Sequence, residues 1–216
     1  MKRTIYTRIE DVWSSNISSR LGEILDLIFT HTVIGVVGKP YSGKTTLLLR
    51  LKETLERKFK LRVVYISSNC LVEPELTIYE NLSCPILMDE ISENNLESRV
   101  EFVAERLKLS KVKDKYPHEV PPEALTRVTL GRALVSKPDI LILDEVPLNA
   151  EDWMLLGMMM SEGMLDKIVY SSHSLHDMVK HCDIILILED FKVVAILRIK
   201  GIPHMSRRTY ASIPLR

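Results

Sequence analysis

The chain has 216 residues, equal totals of 29 basic (Lys+Arg) and 29 acidic (Asp+Glu) side chains, and 46% apolar residues. That length suits one domain carrying at most a small inserted unit, and the even charge balance removes the basic footprint of a nucleic-acid partner, so none is expected. No apolar run approaches the roughly 20 residues that span a bilayer.

The first residues, MKRTIYTRIEDVW, lack the apolar stretch of a signal peptide, so a soluble protein is expected. Residues 32–37, TVIGVV, form a short β-branched run ending at Gly38, and 45–59, TTLLLRLKETLERKF, follow with helical spacing. LRVVYIS at 61–67 reads as the next strand. A loop and a charged, largely helical region follow, so 70–135 reads as a helical unit inserted into a single domain over 1–216. The β pattern returns in ILILDE (140–145), KIVYSS (167–172), IILILED (184–190) and KVVAILRI (192–199). Continuous apolar runs separated by helices predict a mostly parallel sheet in an α/β fold, and the tight link between the last two predicts an antiparallel hairpin at one edge.

GKPYSGKT, residues 38–45, matches G-x-x-x-x-G-K-[ST] between a predicted strand and helix. In such a loop the glycines let the backbone wrap phosphate while the helix N-terminus faces the charge. Gly38, Lys39, Pro40, Tyr41, Ser42, Gly43, Lys44, Thr45 and Thr46 are therefore the candidate nucleotide-binding residues, with Lys44 reaching the β and γ phosphates and Thr45 offering its hydroxyl to Mg²⁺. ILILDE ends in Asp144, suited to hold the metal, beside Glu145, suited to orient or deprotonate a water. Cys70, Cys84 and Cys182 are odd in number and lack metal-like spacing, which reads as idle thiols in a reducing compartment. MLLGMMMSEGM (154–164) reads as a pliable packing or interface helix. The basic stretch 198–216 reads as a solvated or docking tail.

The order of these motifs resembles the ATP-binding-cassette ATPases, the nucleotide-binding subunits of ABC transporters, over about residues 32–190. LTIYENL (76–82) looks like the opening of that family's helical subdomain, and YPHE (116–119) with RVTLGRALVSKPDILILDE (127–145) like its signature-helix stretch. PLNAED (147–152) is similar to the family's D-loop, with Asp152 at the expected aspartate, although Val146 adds one residue. YSSHS (170–174) puts His173 where the family keeps the histidine that contacts the γ phosphate. The resemblance implies a P-loop NTPase fold, ATP and Mg²⁺ as ligands, and ATP hydrolysis with Glu145, His173 and Lys44 as catalytic residues.

The departures from the family are as informative. Its L-S-G-G-Q motif completes a nucleotide site on the opposite subunit, but the aligned residues are Val120, Pro121, Pro122, Glu123 and Ala124. Both prolines lack an N–H, Glu123 adds a carboxylate facing phosphate, and no glycine occurs between Gly43 and Gly131 to allow a shifted alignment. The chain also contains no glutamine, so the family residue that touches Mg²⁺ after the second strand is lost, and Ser68, which aligns there, is the candidate metal contact in its place. Adenine stacking falls to Trp13 in preference to Tyr6, neither at a clean family spacing.

Because ABC-type sites are shared between subunits, these losses favour a heterodimer with an ATPase subunit carrying an intact signature over a homodimer. The resemblance further implies a membrane-embedded transporter subunit as partner and a cytoplasmic protein, peripheral at the inner face of the cell membrane. The other readings from sequence are a nucleotide-gated regulatory or assembly module, and a non-transport ABC-type ATPase.

Overall fold

The computed structural model describes residues 5–6, 20–68, 72–88 and 96–199. Trp13, Cys70 and nearly all of the basic tail lie outside the described residues.

In chain order the elements are β1 (Ile5–Tyr6), α1 (Leu21–Thr30), β2 (Val33–Gly38), α2 (Lys44–Phe59), β3 (Val63–Ser67), α3 (Ile78–Met88) and α4 (Leu96–Arg106). A single 3-10 turn at Pro117–Glu119 precedes α5 (Pro122–Val135), followed by β4 (Ile140–Asp144), α6 (Ala150–Ser161), β5 (Lys167–Ser172), α7 (Leu175–His181), β6 (Ile184–Glu189) and β7 (Lys192–Ile199). The sheet runs β1-β7-β6-β2-β5-β4-β3. Strands β3, β4, β5, β2 and β6 are parallel, while β6–β7 and β7–β1 are antiparallel. The hairpin predicted at the sheet margin is present, but β1 pairs outside it through Ile5↔Ile199 and Tyr6↔Arg198, so the hairpin is not the outermost feature.

Side-chain alternation divides the core between the two faces of the sheet. In β2, Val33 and Val37 join one apolar cluster and Ile34 and Val36 the other; in β4, Leu141 and Leu143 divide from Ile140 and Ile142 in the same way. Period-two pointing in a strand covered on both sides produces this split and explains the unbroken apolar runs. Helices α1 and α2 close one face through Ile24, Ile28, Leu47 and Leu51. On the other, α3 to α7 contribute Leu82, Val103, Leu134, Leu156 and Met178. The methionine-rich helix α6 is a packing element, with Met159 and Met160 buried.

Local chemistry sets the helix starts. Thr77 and Glu80 exchange backbone and side-chain hydrogen bonds at the start of α3, a capping box, and Asn149 and Asp152 do the same for α6. Helix α5 begins at Pro122, as proline favours a first helical position. Gly131 allows α5 to approach α3 closely, since a Cβ there would stand 2.4 Å from Leu82 Cδ2.

Strand β2 sits where the chain changes direction across the sheet: it pairs with β5 on one side and β6 on the other. Crevices at the carboxyl ends of strands at such switch points are the usual ligand sites of open α/β sheets.

Candidate functional site

The loop after β2 is shaped by what its backbone excludes. A Cβ on Gly38 would stand 2.4 Å from Ser42 Oγ and 2.6 Å from the Leu188 carbonyl oxygen, so only glycine fits. Tyr41 and Gly43 have φ of 65° and 99°, and Gly43 is the N-cap of α2. No side chain caps α2, which leaves its first-turn N–H groups directed at an outside acceptor. Ser42 Oγ is buried without a hydrogen-bond partner in this loop.

Lys44 is 4% exposed, and its ammonium donates to the carbonyls of Gly38 at 2.7 Å and Lys39 at 2.9 Å. Its Nζ also lies 3.2 Å from Glu145 Oε1. Glu145 follows β4 at φ 57°, its N–H directed to Ser171 O and Oγ, so its carboxylate turns towards the loop. His173 extends past β5, with Nε2 3.0 Å from Glu145 Oε1 and Nδ1 3.3 Å from Lys44 Nζ. Nδ1 lies nearer still, at 2.9 Å, to the Gly38 carbonyl oxygen, which can only accept, so its contacts with Gly38 and with Lys44 call for opposite protonation of that nitrogen.

Beneath this triad, Asp144 is 5% exposed and heavily hydrogen-bonded. Its Oδ2 accepts from Thr45 Oγ1 at 2.7 Å and from the Tyr65 hydroxyl at 2.7 Å, and its Oδ1 accepts from Ser171 Oγ. Burial, then the bond to Asp144, pushes the Tyr65 phenol well above its ordinary range and keeps it a donor. A hydroxyl and a carboxylate this close form a hard oxygen donor pair of the kind Mg²⁺ prefers.

A cavity of about 430 Å³ joins these parts, lined by Pro40, Tyr41, Gly43, Lys44, Thr45, Thr46, Glu145, His173 and Phe191. The predicted loop residues, Asp144, Glu145 and His173 therefore converge. Ser68 does not join them: its N–H donates to the Asp144 carbonyl, and it lines a separate cleft with Pro117 and Thr129. Tyr65, which sequence reading passed over, reaches Asp144 instead. Its signal was a lone hydroxyl-bearing ring in VVYIS, two residues before the strand end. Tyr6 lies in β1, and Phe29 packs on Phe59 with ring centroids 4.9 Å apart. Phe191, likewise passed over, lines the cavity.

The VPPEA segment forms the approach to α5, with Val120 and Pro121 extended and Pro122 opening the helix. Glu123 lines a cleft of about 600 Å³ shared with Pro147, Asn149 and Trp153. Asp152 is 1% exposed, caps α6 and pairs with Arg127 Nε at 3.2 Å, so it has a local structural task.

A family model described as ABC transporter matches residues 27–148, over half of the chain. The chain is 26% identical over 198 residues to methionine import ATP-binding protein MetN 1 of Bacillus cereus, covering 79% of this chain and 57% of that protein. It is 32% identical over 132 residues to glucose import ATP-binding protein GlcV of Saccharolobus solfataricus, covering 51% and 37%. The chain thus spans little more than half the length of the first of these relatives and less of the second. Among solved structures, cbiO1 from Clostridium perfringens, described as part of the ABC transporter complex cbiONQ, superposes with a TM-score of 0.65 at 20% identity over 76% of each chain. An ATP-binding cassette solved as a dimer in a post-hydrolysis state with ADP and Pi gives 0.64 at 18% identity, covering 79% of this chain and 87% of that one. These likenesses establish a P-loop ATPase fold, and the chain belongs to the ABC transporter family.

Proposed function

We propose that this chain is the ATP-binding and ATP-hydrolysing subunit of an import-type ABC complex, held at the inner face of a membrane by a membrane-embedded subunit. The observation that carries this reading is the meeting of Lys44, Thr45, Glu145 and His173 around one cavity, with Asp144 hydrogen-bonded to Thr45 behind it. The names of the relatives support import. In this reading residues 70–135, containing α3 to α5, act as the inserted unit that transmits closure.

The residues fit the triphosphate and its metal. The uncapped start of α2 and Lys44 suit the β and γ phosphates, and Thr45 with Asp144 would hold Mg²⁺. Bound there, Mg²⁺ would neutralise negative charge on the triphosphate. Glu145 Oε1 accepts a proton from water as the water oxygen bonds the terminal phosphorus and the bond to ADP breaks. Inorganic phosphate and ADP are the products. His173 orients Glu145 and contacts the terminal phosphate.

The partner is an ATPase subunit with an intact signature, in preference to a second copy of this chain. Pro121 and Pro122 remove two N–H groups where a trans phosphate would seek donors, and Glu123 adds repulsion. Retention of both Glu145 and His173 speaks against a purely regulatory module, because nucleotide binding alone needs neither. The test is equilibrium ATP binding by the chain, Lys44→Ala and Glu145→Gln, with steady-state turnover read on each in complex with its partner ATPase subunit. Loss of binding in the first and of turnover in the second is expected. Unchanged turnover in Glu145→Gln would remove Glu145 as the base.

A further inference from the structure

Three residues lining the phosphate-loop cavity, Tyr41, Glu145 and Phe191, hold left-handed backbone conformations without being glycine. Strain of this kind collects at ligand sites. Glu145 has a role in the proposed chemistry, whereas Phe191 has none yet. It is the second residue of the two-residue link between Glu189 and Lys192, with φ 45° at Asp190 and 59° at Phe191. A turn with positive φ at both central positions favours Asn-Gly, and a phenylalanine is among the least suited residues.

The ring is also not simply core. Phe191 is 46% exposed, its N–H donates to the Ser42 carbonyl at 3.0 Å, and its ring lies against Gly43, where an added Cβ would stand 2.7 Å from Cδ1. One side of the ring touches the phosphate loop, and exposed ring surface faces the cavity. Position across the sheet gives this a direction. Glu145 and His173 follow β4 and β5, on one side of β2, while Phe191 follows β6, on the other. A nucleotide with its terminal phosphate at Glu145 and His173 presents its ribose and base to the wall that Phe191 forms.

We propose that Phe191, in place of the Trp13 expected from the sequence, is the stacking surface for the base of the bound nucleotide, so that the β6–β7 turn, and not only the phosphate loop, decides affinity. This rests on the phosphate loop being a nucleotide site. Stacking on an aromatic ring suits any base, so the gain is for nucleoside over bare polyphosphate.

The experiment is calorimetric titration of the full chain and Phe191→Gly with Mg-ATP and, separately, Mg-tripolyphosphate, beside thermal unfolding without ligand. The wild type is expected to prefer ATP. Phe191→Gly is expected to lose about fivefold or more of that preference, with tripolyphosphate affinity kept and the melting temperature unchanged or raised, since glycine accepts the turn without strain. Full preference for ATP in Phe191→Gly overturns the proposal while leaving the phosphate site standing, and a lowered melting temperature with it would identify the ring as packing alone. Failure of the wild type to bind either ligand overturns the phosphate-site reading and this proposal together.

Discussion

Lys44 Nζ lies 3.2 Å from Glu145 Oε1, so the loop lysine is already engaged by the carboxylate next to which a terminal phosphate would sit. A phosphate must share or displace that contact. Glu145→Gln removes the competing charge, and a partly exposed pair of this kind contributes about 0.2–1 kcal/mol. The variant should bind ATP about one and a half to fivefold more tightly, read by calorimetry on the chain alone, while phosphate release by its complex with the partner subunit stops. Weaker ATP binding would show that Glu145 supports the lysine instead of competing for it.

Tyr65 and Thr45 both donate to Asp144 Oδ2, and the tyrosine hydroxyl fixes that carboxylate from the β3 side. In a chain without glutamine this is a second anchor for the metal-holding group. Tyr65→Phe deletes one hydrogen bond worth about 0.5–1.5 kcal/mol. The Mg²⁺ concentration giving half-maximal ATP binding should rise about twofold to tenfold, with folding retained by circular dichroism. An unchanged Mg²⁺ requirement would assign Tyr65 to packing only.

Stability at alkaline pH carries the sign of the same group. Burial first, then Asp144, raises the Tyr65 pKa in the folded chain, and burial raises that of Cys182. Each group stays protonated when folded and loses its proton more readily when unfolded. Their contribution is complete below the unfolded values, about 8.5 for cysteine and 10 for tyrosine, and is lost as pH climbs beyond them. Melting temperatures should therefore fall from about pH 8.5 upward, with a shallower fall above pH 10 in Tyr65→Phe. A parallel decline in the variant would contradict the assignment.

Arg127 joins α5 to α6 through Glu151 at 2.6 Å and the buried Asp152 at 3.2 Å. Arg127→Ala would leave Asp152 buried with only its capping bonds, costing about 1–3 kcal/mol. Thermal unfolding should shift down by about 2–10 °C. No shift would mean that this ion pair does not fasten the two helices.

What the sequence reveals follows the range of the interactions involved. Gly38 to Thr46 are legible because one turn, one strand and one helix fix their spacing. Asp144 and His173 are legible because each ends an apolar run. Tyr65 depends on β3 lying beside β4, and Phe191 on β6 lying beside β2, pairings between segments far apart in the chain. A tyrosine inside a strand and a phenylalanine in a tight turn carry no local mark of their neighbours. Strand β1 was missed because two residues are too few for a periodic signal, and α1 because no cap announces it: Arg20 at its N-cap position makes no side-chain capping bond.

The central claim is that this chain holds a working half-site that needs a signature from another subunit. Its most direct test is ATP binding and steady-state hydrolysis by the purified chain alone, over a wide concentration range, beside Glu145→Gln. Firm binding with negligible turnover at every concentration is the predicted result. Turnover that rises faster than linearly with concentration and disappears in Glu145→Gln would show that VPPEA serves a homodimer, and would contradict the account.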